Sequence, residues 1–210
     1  MEKYAYIFLY TITLIVGLFY YKKYNHSVPL KLWILFLGYS LLTEIIGFYF
    51  SRVVEVRNYI VYNSWFLVNS FFYMIFFLNK LKTSLNRKLI IGLITGYAFY
   101  NVVVALFYKD YQSQYFVGSF MLGELCILVT VMFYYIEILK NDDILKLKDT
   151  MYFWISLGVL SFNIGMLPVF VIAELIDYQG VFNYIVLGAN ILMALCFITG
   201  FIVSKKETNT

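Results

Sequence analysis

Residues 181–203 read VFNYIVLGANILMALCFITGFIV, a stretch that contains no Asp, Glu, Lys, Arg or His. A helix rises about 1.5 Å per residue, so about 20 apolar residues cross a hydrocarbon core roughly 30 Å thick. Because lipid offers no hydrogen-bond partner to the backbone, such a segment has to be helical. This stretch therefore predicts a transmembrane helix.

Six further apolar stretches precede it, separated by short polar loops. The seven predicted spans are residues 4–21, 32–50, 59–78, 89–108, 115–139, 152–173 and 181–203. The chain is only 13% charged and has a mean hydropathy of +0.79, whereas a soluble domain is about 25% charged. Membrane strands would need alternating polarity, which these stretches lack. We predict an all-α polytopic membrane bundle, a single seven-helix domain over residues 1–210.

The distribution of Lys and Arg predicts the orientation of this bundle. Twelve lie in loops and tails on one side: Lys22, Lys23, Lys31, Lys80, Lys82, Arg87, Lys88, Lys140, Lys146, Lys148, Lys205 and Lys206. Only Lys3, Arg52, Arg57 and Lys109 lie on the other. Cytoplasmic loops are enriched in basic residues. We therefore expect an outside N-terminus, a cytoplasmic C-terminus and a location in the plasma membrane, which in a bacterium is the inner membrane.

Two carboxyl groups lie within the predicted hydrocarbon depth, Glu44 in the second span and Glu124 in the fifth. An ionisable side chain at a helix centre costs about 2.5–3.5 kcal/mol on insertion scales. No Lys, Arg or His shares their depth, so burial favours the neutral acid. A neutral carboxyl group donates as well as accepts hydrogen bonds. Both residues are therefore candidates for a ligand or proton site in the outer half of the membrane.

Other polar side chains lie at a similar depth and could join the two glutamates. The predicted pocket adds Tyr39, Ser40, Asn69, Asn163 and Asn190. Helical spacing puts Ser40, Glu44 and Gly47 on one face of the second span. One interpretation is a set of interhelical hydrogen bonds that hold the bundle, each worth about 0.6 kcal/mol. The other is a polar pocket that opens outward and binds a small ligand or passes a proton.

A basic segment joins the third and fourth spans. Within KLKTSLNRK, residues 80–88, four cations lie close together: Lys80, Lys82, Arg87 and Lys88. Each is worth about 1 kcal/mol beside anionic lipid, so lipid headgroups are the expected contact and an acidic cytosolic protein is the alternative. The formal net charge of +4 follows from membrane orientation, and it does not indicate a nucleic-acid partner.

The sequence lacks the residue sets of several membrane chemistries. His26 is the single histidine and lies in a loop, so neither a histidine-rich metal site nor a Ser–His pair within the bundle is available. No Gly-rich phosphate loop or CxxC motif occurs. We expect no metal, no cofactor and no enzymatic activity. A metal-independent lipid hydrolase built on two carboxylates stays an open alternative.

These features favour a non-enzymatic membrane protein that acts as a sensor or a membrane anchor and couples to a cytosolic partner. Two alternatives stay open. One is a proton-coupled small-molecule transporter that uses Glu44 and Glu124. The other is a membrane accessory or pore-forming effector of a bacterial defence system, for example an RNA-guided CRISPR-type system, in which the chain could form homo-oligomers.

Overall fold

The computed structural model describes residues 2–107, 114–140, 147–175 and 180–209, and these ranges contain seven α-helices and no strand. The helices are α1 Glu2–Phe19, α2 Val28–Arg52, α3 Tyr59–Leu78, α4 Ser84–Phe107, α5 Val117–Leu139, α6 Met151–Leu175 and α7 Val181–Val203. The all-α prediction is confirmed. Lys109 and Lys146, which entered the orientation argument, lie outside the described residues.

Six of the helices, α2 to α7, are long and apolar enough to cross a membrane. The described side chains of α1 cover only Tyr4–Phe19, which is apolar but shorter. The protein therefore has the character of a multi-pass membrane bundle. The seventh span, the orientation of the termini and the single-domain organisation stay predictions.

Large apolar side chains cover much of the protein surface. Phe19, Phe99 and Phe107 are each more than two thirds exposed. Soluble monomers rarely expose apolar surface on this scale, because its contact with water is costly. A hydrocarbon solvent removes that cost, so the surface agrees with a membrane location.

The helices divide into two compact units. The terminal unit comprises residues 1–42 and 141–210, and the central unit comprises residues 43–140. In the terminal unit α6 and α7 form the most extensive pairing, and α1 also packs on α7. A Cβ atom at Gly158 would lie 2.8 Å from the Phe197 ring, so glycine allows α6 and α7 to approach closely. Trp33 of α2 packs edge-on to the same ring, with centroids 4.9 Å apart.

Polar contacts close one end of the terminal unit. The Lys23 ammonium donates to the Ile202 carbonyl at 2.6 Å, near the end of α7. The Asn209 side-chain oxygen accepts from the Met151 N–H at 2.8 Å and so satisfies a free donor at the start of α6. Lys205 pairs with Asp149 at 2.7 Å, and this contact raises the pKa of the Lys205 ammonium. The segment after α7 is therefore bound to the helix ends.

The central unit contains the last part of α2 together with α3, α4 and α5, and α3 and α5 form its most extensive pairing. Phe66 and Phe120 pack against each other across this pairing, with tilted rings whose centroids are 4.1 Å apart. The unit has two ends, which we name by their contents. The loop end holds the α2–α3 loop and the start of α5, and the basic end holds the basic segment 80–88 and the last turn of α5.

Candidate functional site

The predicted pocket residues are divided between the two units. Glu44, Asn69 and Glu124 belong to the central unit, and Tyr39, Ser40, Asn163 and Asn190 belong to the terminal unit.

Glu44 lies on α2 and is half-buried. The Tyr62 hydroxyl of α3 donates to its Oε2 atom at 3.2 Å. The same hydroxyl lies 2.8 Å from the position that a Cβ atom on Gly47 would occupy. Gly47 therefore makes room for the tyrosine that binds Glu44, which explains why these residues share one helix face.

Glu124 lies in the middle of α5 and is completely buried, with 0% exposure. Neither of its carboxyl oxygens has a hydrogen-bond partner among the described residues. The carboxyl groups of Glu44 and Glu124 therefore form no direct hydrogen bond. Asn69, on α3, is also buried.

Two terminal-unit members of the predicted pocket, Asn163 and Asn190, bond to their own helices. Asn163 donates to the Val159 carbonyl at 2.7 Å, and Asn190 donates to the Val186 carbonyl at 2.9 Å. Ser40 is buried, whereas Tyr39 is half-buried and packs against the Phe36 ring. These contacts agree with a structural role for the two asparagines within α6 and α7.

A cleft of about 310 Å³ opens at the loop end of the central unit. Its lining residues are Ser51, Glu55, Val56, Arg57, Asn58, Tyr59 and Tyr115. Glu55 has a φ of 57°, which lies in the left-handed region that side chains other than glycine seldom adopt. The Arg57 guanidinium lies 5.8 Å from the centroid of the Tyr59 ring. Opposite charges therefore line one small cleft.

Asn58 joins the cleft to the helices around it. Its amide donates to the Gly47 carbonyl of α2 at 3.1 Å. The Tyr115 hydroxyl, two residues before α5, donates to its side-chain oxygen at 3.2 Å. Tyr115 also packs edge-on to Tyr59, with ring centroids 4.5 Å apart. The cleft walls are thus fixed to α2, to α3 and to the segment that leads into α5.

A second asparagine strengthens the joint between α3 and the start of α5. The Asn63 amide donates to the Gln114 carbonyl at 2.9 Å, and its side-chain oxygen accepts from the Phe116 N–H at 3.1 Å. Further along α5, Ser119 donates to the Asn101 side-chain oxygen of α4. The start of α5 is therefore held by side chains of both neighbouring helices.

The basic end is organised by a carboxylate that belongs to α5. Glu137 accepts hydrogen bonds from the Lys82 N–H at 2.6 Å, the Thr83 N–H at 3.1 Å and the Asn86 amide at 2.7 Å. These donors lie at the N-terminus of α4, where unpaired N–H groups and the helix dipole favour an anion. Glu137 therefore connects the last turn of α5 to the basic segment.

The four cations of the basic segment differ in their surroundings. Arg87 donates to the carbonyls of Leu78 and Leu81, the latter at 3.1 Å, and so caps the end of α3. Burial, together with the charge of Lys82, lowers the pKa of the Lys80 ammonium. Lys82 and Lys88 are exposed. These two residues are therefore the best placed to meet lipid or a protein partner.

Sequence reasoning missed the cleft and the role of Glu137. The loop SRVVEVR, residues 51–57, mixes charged and apolar side chains, and this mixture is the signal that could have indicated a site. Arg57 enters the prediction only through the orientation, and Tyr59 only as the first residue of the third predicted span. Glu137 lies near the end of the predicted fifth span; it is 9% exposed and is bonded to α4, a contact that its position in the sequence does not indicate.

The described residues contain no group of three or more His, Cys, Asp and Glu side chains that could hold a metal ion. No protein-family model matches the chain, and neither a curated protein nor a solved structure is significantly similar to it.

Proposed function

We propose that the chain is a non-enzymatic membrane sensor whose central unit binds a ligand at the loop end and presents the basic segment to a cytosolic partner. On the predicted orientation the loop end faces outward and the basic segment faces the cytoplasm. The cleft supplies the input site, and the exposed Lys82 and Lys88 supply the output surface.

The observation that supports this proposal is the bonding at the two ends of α5. Tyr115 and Phe116, just before the helix, are held by Asn58 and Asn63 of the loop end. Glu137, in its last turn, holds Lys82 and Thr83 of the basic segment. A helix of 23 residues is about 34 Å long. A displacement of α5 caused by a ligand in the cleft would therefore change the contacts of the basic segment.

The coupling along α5 can be tested by hydrogen exchange without knowledge of the ligand. Tyr115→Phe removes the donor to Asn58 and should speed amide exchange at Lys82 and Thr83, because α5 is then held less firmly. Tyr184→Phe, which removes an exposed hydroxyl from α7, is the matched control and should leave these amides unchanged. Unaltered exchange at the basic segment in Tyr115→Phe would contradict the coupling.

The partner is tested by capture after mild cross-linking in cells. Lys82→Gln with Lys88→Gln removes two exposed cations from the basic segment and should abolish capture of an acidic cytosolic protein. Lys22→Gln with Lys206→Gln removes two cations from the same predicted membrane face and should preserve it. If the wild-type chain captures no specific cytosolic protein, the sensor proposal fails.

A second candidate function is a proton-coupled carrier, and the observation that favours it is Glu124. A fully buried carboxyl group that has no hydrogen-bond partner among the described residues has the character of an intramembrane proton site. The test uses liposomes with a trapped pH-sensitive dye and an imposed membrane potential. The wild-type chain and Glu207→Gln, which changes an exposed carboxylate, should acidify the lumen, whereas Glu124→Gln should not. A wild-type rate equal to that of empty liposomes would exclude Glu124 as a proton path that works without a transported solute.

A membrane anchor and a pore-forming accessory of a bacterial defence system remain alternatives from the sequence, and the comparisons add no argument for either. Dye release separates them, since a pore empties vesicles and an anchor leaves them intact.

A further inference from the structure

Glu55 and Arg57 place opposite charges in the same cleft without neutralising each other. Among the described residues the one ion pair is Lys205 with Asp149, so Glu55 and Arg57 do not form one. Both side chains are exposed and both line the cleft. A cleft that presents one carboxylate and one guanidinium is complementary to a ligand that contains a cation and an anion a short distance apart.

We propose that this cleft binds the phosphate–ammonium headgroup of a membrane lipid, with Arg57 binding the phosphate and Glu55 binding the ammonium. The inference deepens the proposed function and rests on it only in the choice of the same cleft as the input site.

The chemistry of Arg57 suits the phosphate. A guanidinium group has five N–H donors and binds phosphate in a bidentate manner. The contact with the Tyr59 hydroxyl at 3.4 Å involves one guanidinium nitrogen, Nη1. Packing over the Tyr59 ring restricts the side chain and leaves other donors for a ligand.

The size and walls of the cleft also suit a headgroup. Its volume of about 310 Å³ is at the lower end of the range of about 300–1,000 Å³ that small-molecule pockets occupy. Tyr59 and Tyr115 form an aromatic wall, and an alkylammonium group packs favourably against such rings. The pocket is therefore large enough for a phosphate and an amine, whereas the acyl chains would lie outside it.

The surroundings of the cleft favour a lipid over a soluble zwitterion. The loop exposes three valines, Val53, Val54 and Val56, and it joins two helices that are long and apolar enough to span the membrane. Backbone bonds from Val53 and Val56 to Tyr49 and Phe50 fold the loop back onto the end of α2. Apolar side chains beside charged ones at a span end are typical of the membrane interface. The valines can therefore contact acyl chains while the cleft holds the headgroup.

The test measures lipid retained by the purified protein in nanodiscs of stated composition. Phosphatidylethanolamine has a phosphate and an ammonium with N–H donors, phosphatidylcholine has no such donors, and phosphatidylglycerol has no cation. We expect wild-type protein to retain phosphatidylethanolamine about tenfold over each of the others, the factor of about one charge-assisted hydrogen bond. Equal retention of the three lipids would overturn the inference.

Two variants of the cleft separate the roles of its charges. Arg57→Gln should reduce retention of all three lipids, whereas Glu55→Gln should lower the preference for phosphatidylethanolamine over both other lipids. Arg52→Gln changes an exposed arginine at the end of α2 that does not line the cleft, and it should behave as wild type. If Arg52→Gln loses the preference for phosphatidylethanolamine while Arg57→Gln retains lipid as the wild type does, Arg57 is not the residue that binds the phosphate.

A soluble probe distinguishes the lipid from a free zwitterion. Glycerophosphoethanolamine has the headgroup without acyl chains and should compete with the lipid only weakly. Competition as strong as that of the intact lipid would mean that the ligand is a free zwitterion and not a membrane lipid. The two proposals can fail separately. If the protein prefers phosphatidylethanolamine but amide exchange at Lys82 is unchanged in Tyr115→Phe, the lipid site is supported and the sensor proposal fails.

Discussion

Gly123 controls the approach of α5 to its neighbours in the central unit. A Cβ atom at this position would lie 2.2 Å from the Ser70 hydroxyl of α3 and 2.9 Å from the Tyr97 hydroxyl of α4. Both distances are shorter than van der Waals contact, so a methyl group has to displace a helix or a side chain. This single residue therefore limits how closely three helices can pack.

Gly123→Ala should destabilise the central unit. Overpacking in a close-packed interior costs about 1–3 kcal/mol, against a gain in helix propensity of about 1 kcal/mol for alanine over glycine. A lowered midpoint of thermal unfolding in detergent checks this. Gly96→Ala is the matched control, since nothing lies within 4 Å of its Cβ position, and its midpoint should not fall. Ser70→Ala combined with Gly123→Ala should recover part of the loss, and no recovery would mean that the hydroxyl is not the obstacle.

The sequence predicts the membrane depth and the polarity of single residues, but it does not predict which side chains contact each other. Glu124 was identified as a buried acid because its span contains no counter-ion at that depth. Glu44 is a predicted polar group of the outer half, but its hydrogen bond with Tyr62 depends on which helix faces which. Asn58 and Tyr115 were not predicted as site residues, because they are far apart in sequence and meet only through the packing of α3 and α5.

At the scale of helices, α4 shows how one element depends on another. It begins at Ser84, five residues before the predicted span, and its first turn is polar. The N–H groups before it are bonded to the Glu137 carboxylate of α5. This carboxylate therefore caps the start of α4, and it also joins the ends of two helices.

Glu137→Ala should unravel the start of α4. Hydrogen bonds to a charged group contribute about 1.5–3 kcal/mol each when buried, and the loss leaves N–H donors without a partner. We expect faster amide exchange at residues 82–87 and a lower unfolding midpoint. Glu137→Gln, which keeps one oxygen acceptor, should lie between wild type and Glu137→Ala. Glu207→Ala changes an exposed acid and should have no effect, and equal results for both alanine variants would contradict the cap.

Hydropathy predicted correctly which segments are helical, but it predicted the first residue of some helices less accurately. For α3 and α7 the predicted bounds, residues 59–78 and 181–203, equal those observed, because apolar character and helix end together there. For α2 the helix begins at Val28 and includes Pro29 in its first turn. Proline is tolerated at that position, but the polar and basic residues near it lower the hydropathy. The missed turns are therefore those whose helicity depends on caps and contacts instead of lipid.

At the scale of the whole molecule, α1 determines how many times the chain crosses the membrane. Six spans place both chain ends on the same side, and a seventh places them on opposite sides. The described part of α1 is apolar but short, and the imbalance of basic residues across the loops supports the seventh crossing.

We expect reporter fusions to find the two ends in different compartments. A fluorescent protein that requires the cytoplasm should be active at the C-terminus, and a phosphatase that requires export should be active at the N-terminus. Sandwich fusions in the 51–57 loop serve as an internal control and should report the same side as the N-terminus. If both ends report the cytoplasm, α1 does not cross; α2 then starts in the cytoplasm, and the cleft still faces outward.

The packing around Trp33 in the terminal unit determines how this residue fluoresces. Its indole is 0% exposed, packs against Phe197 and Phe201, and has no N–H acceptor among the described residues. Trp154 instead donates to the Lys148 carbonyl, and Trp65 is partly exposed. An indole in such dry surroundings emits at short wavelength and is shielded from aqueous quenchers. Fluorescence of a variant that retains only Trp33 would therefore record, by a red shift, the moment at which α2 separates from α7.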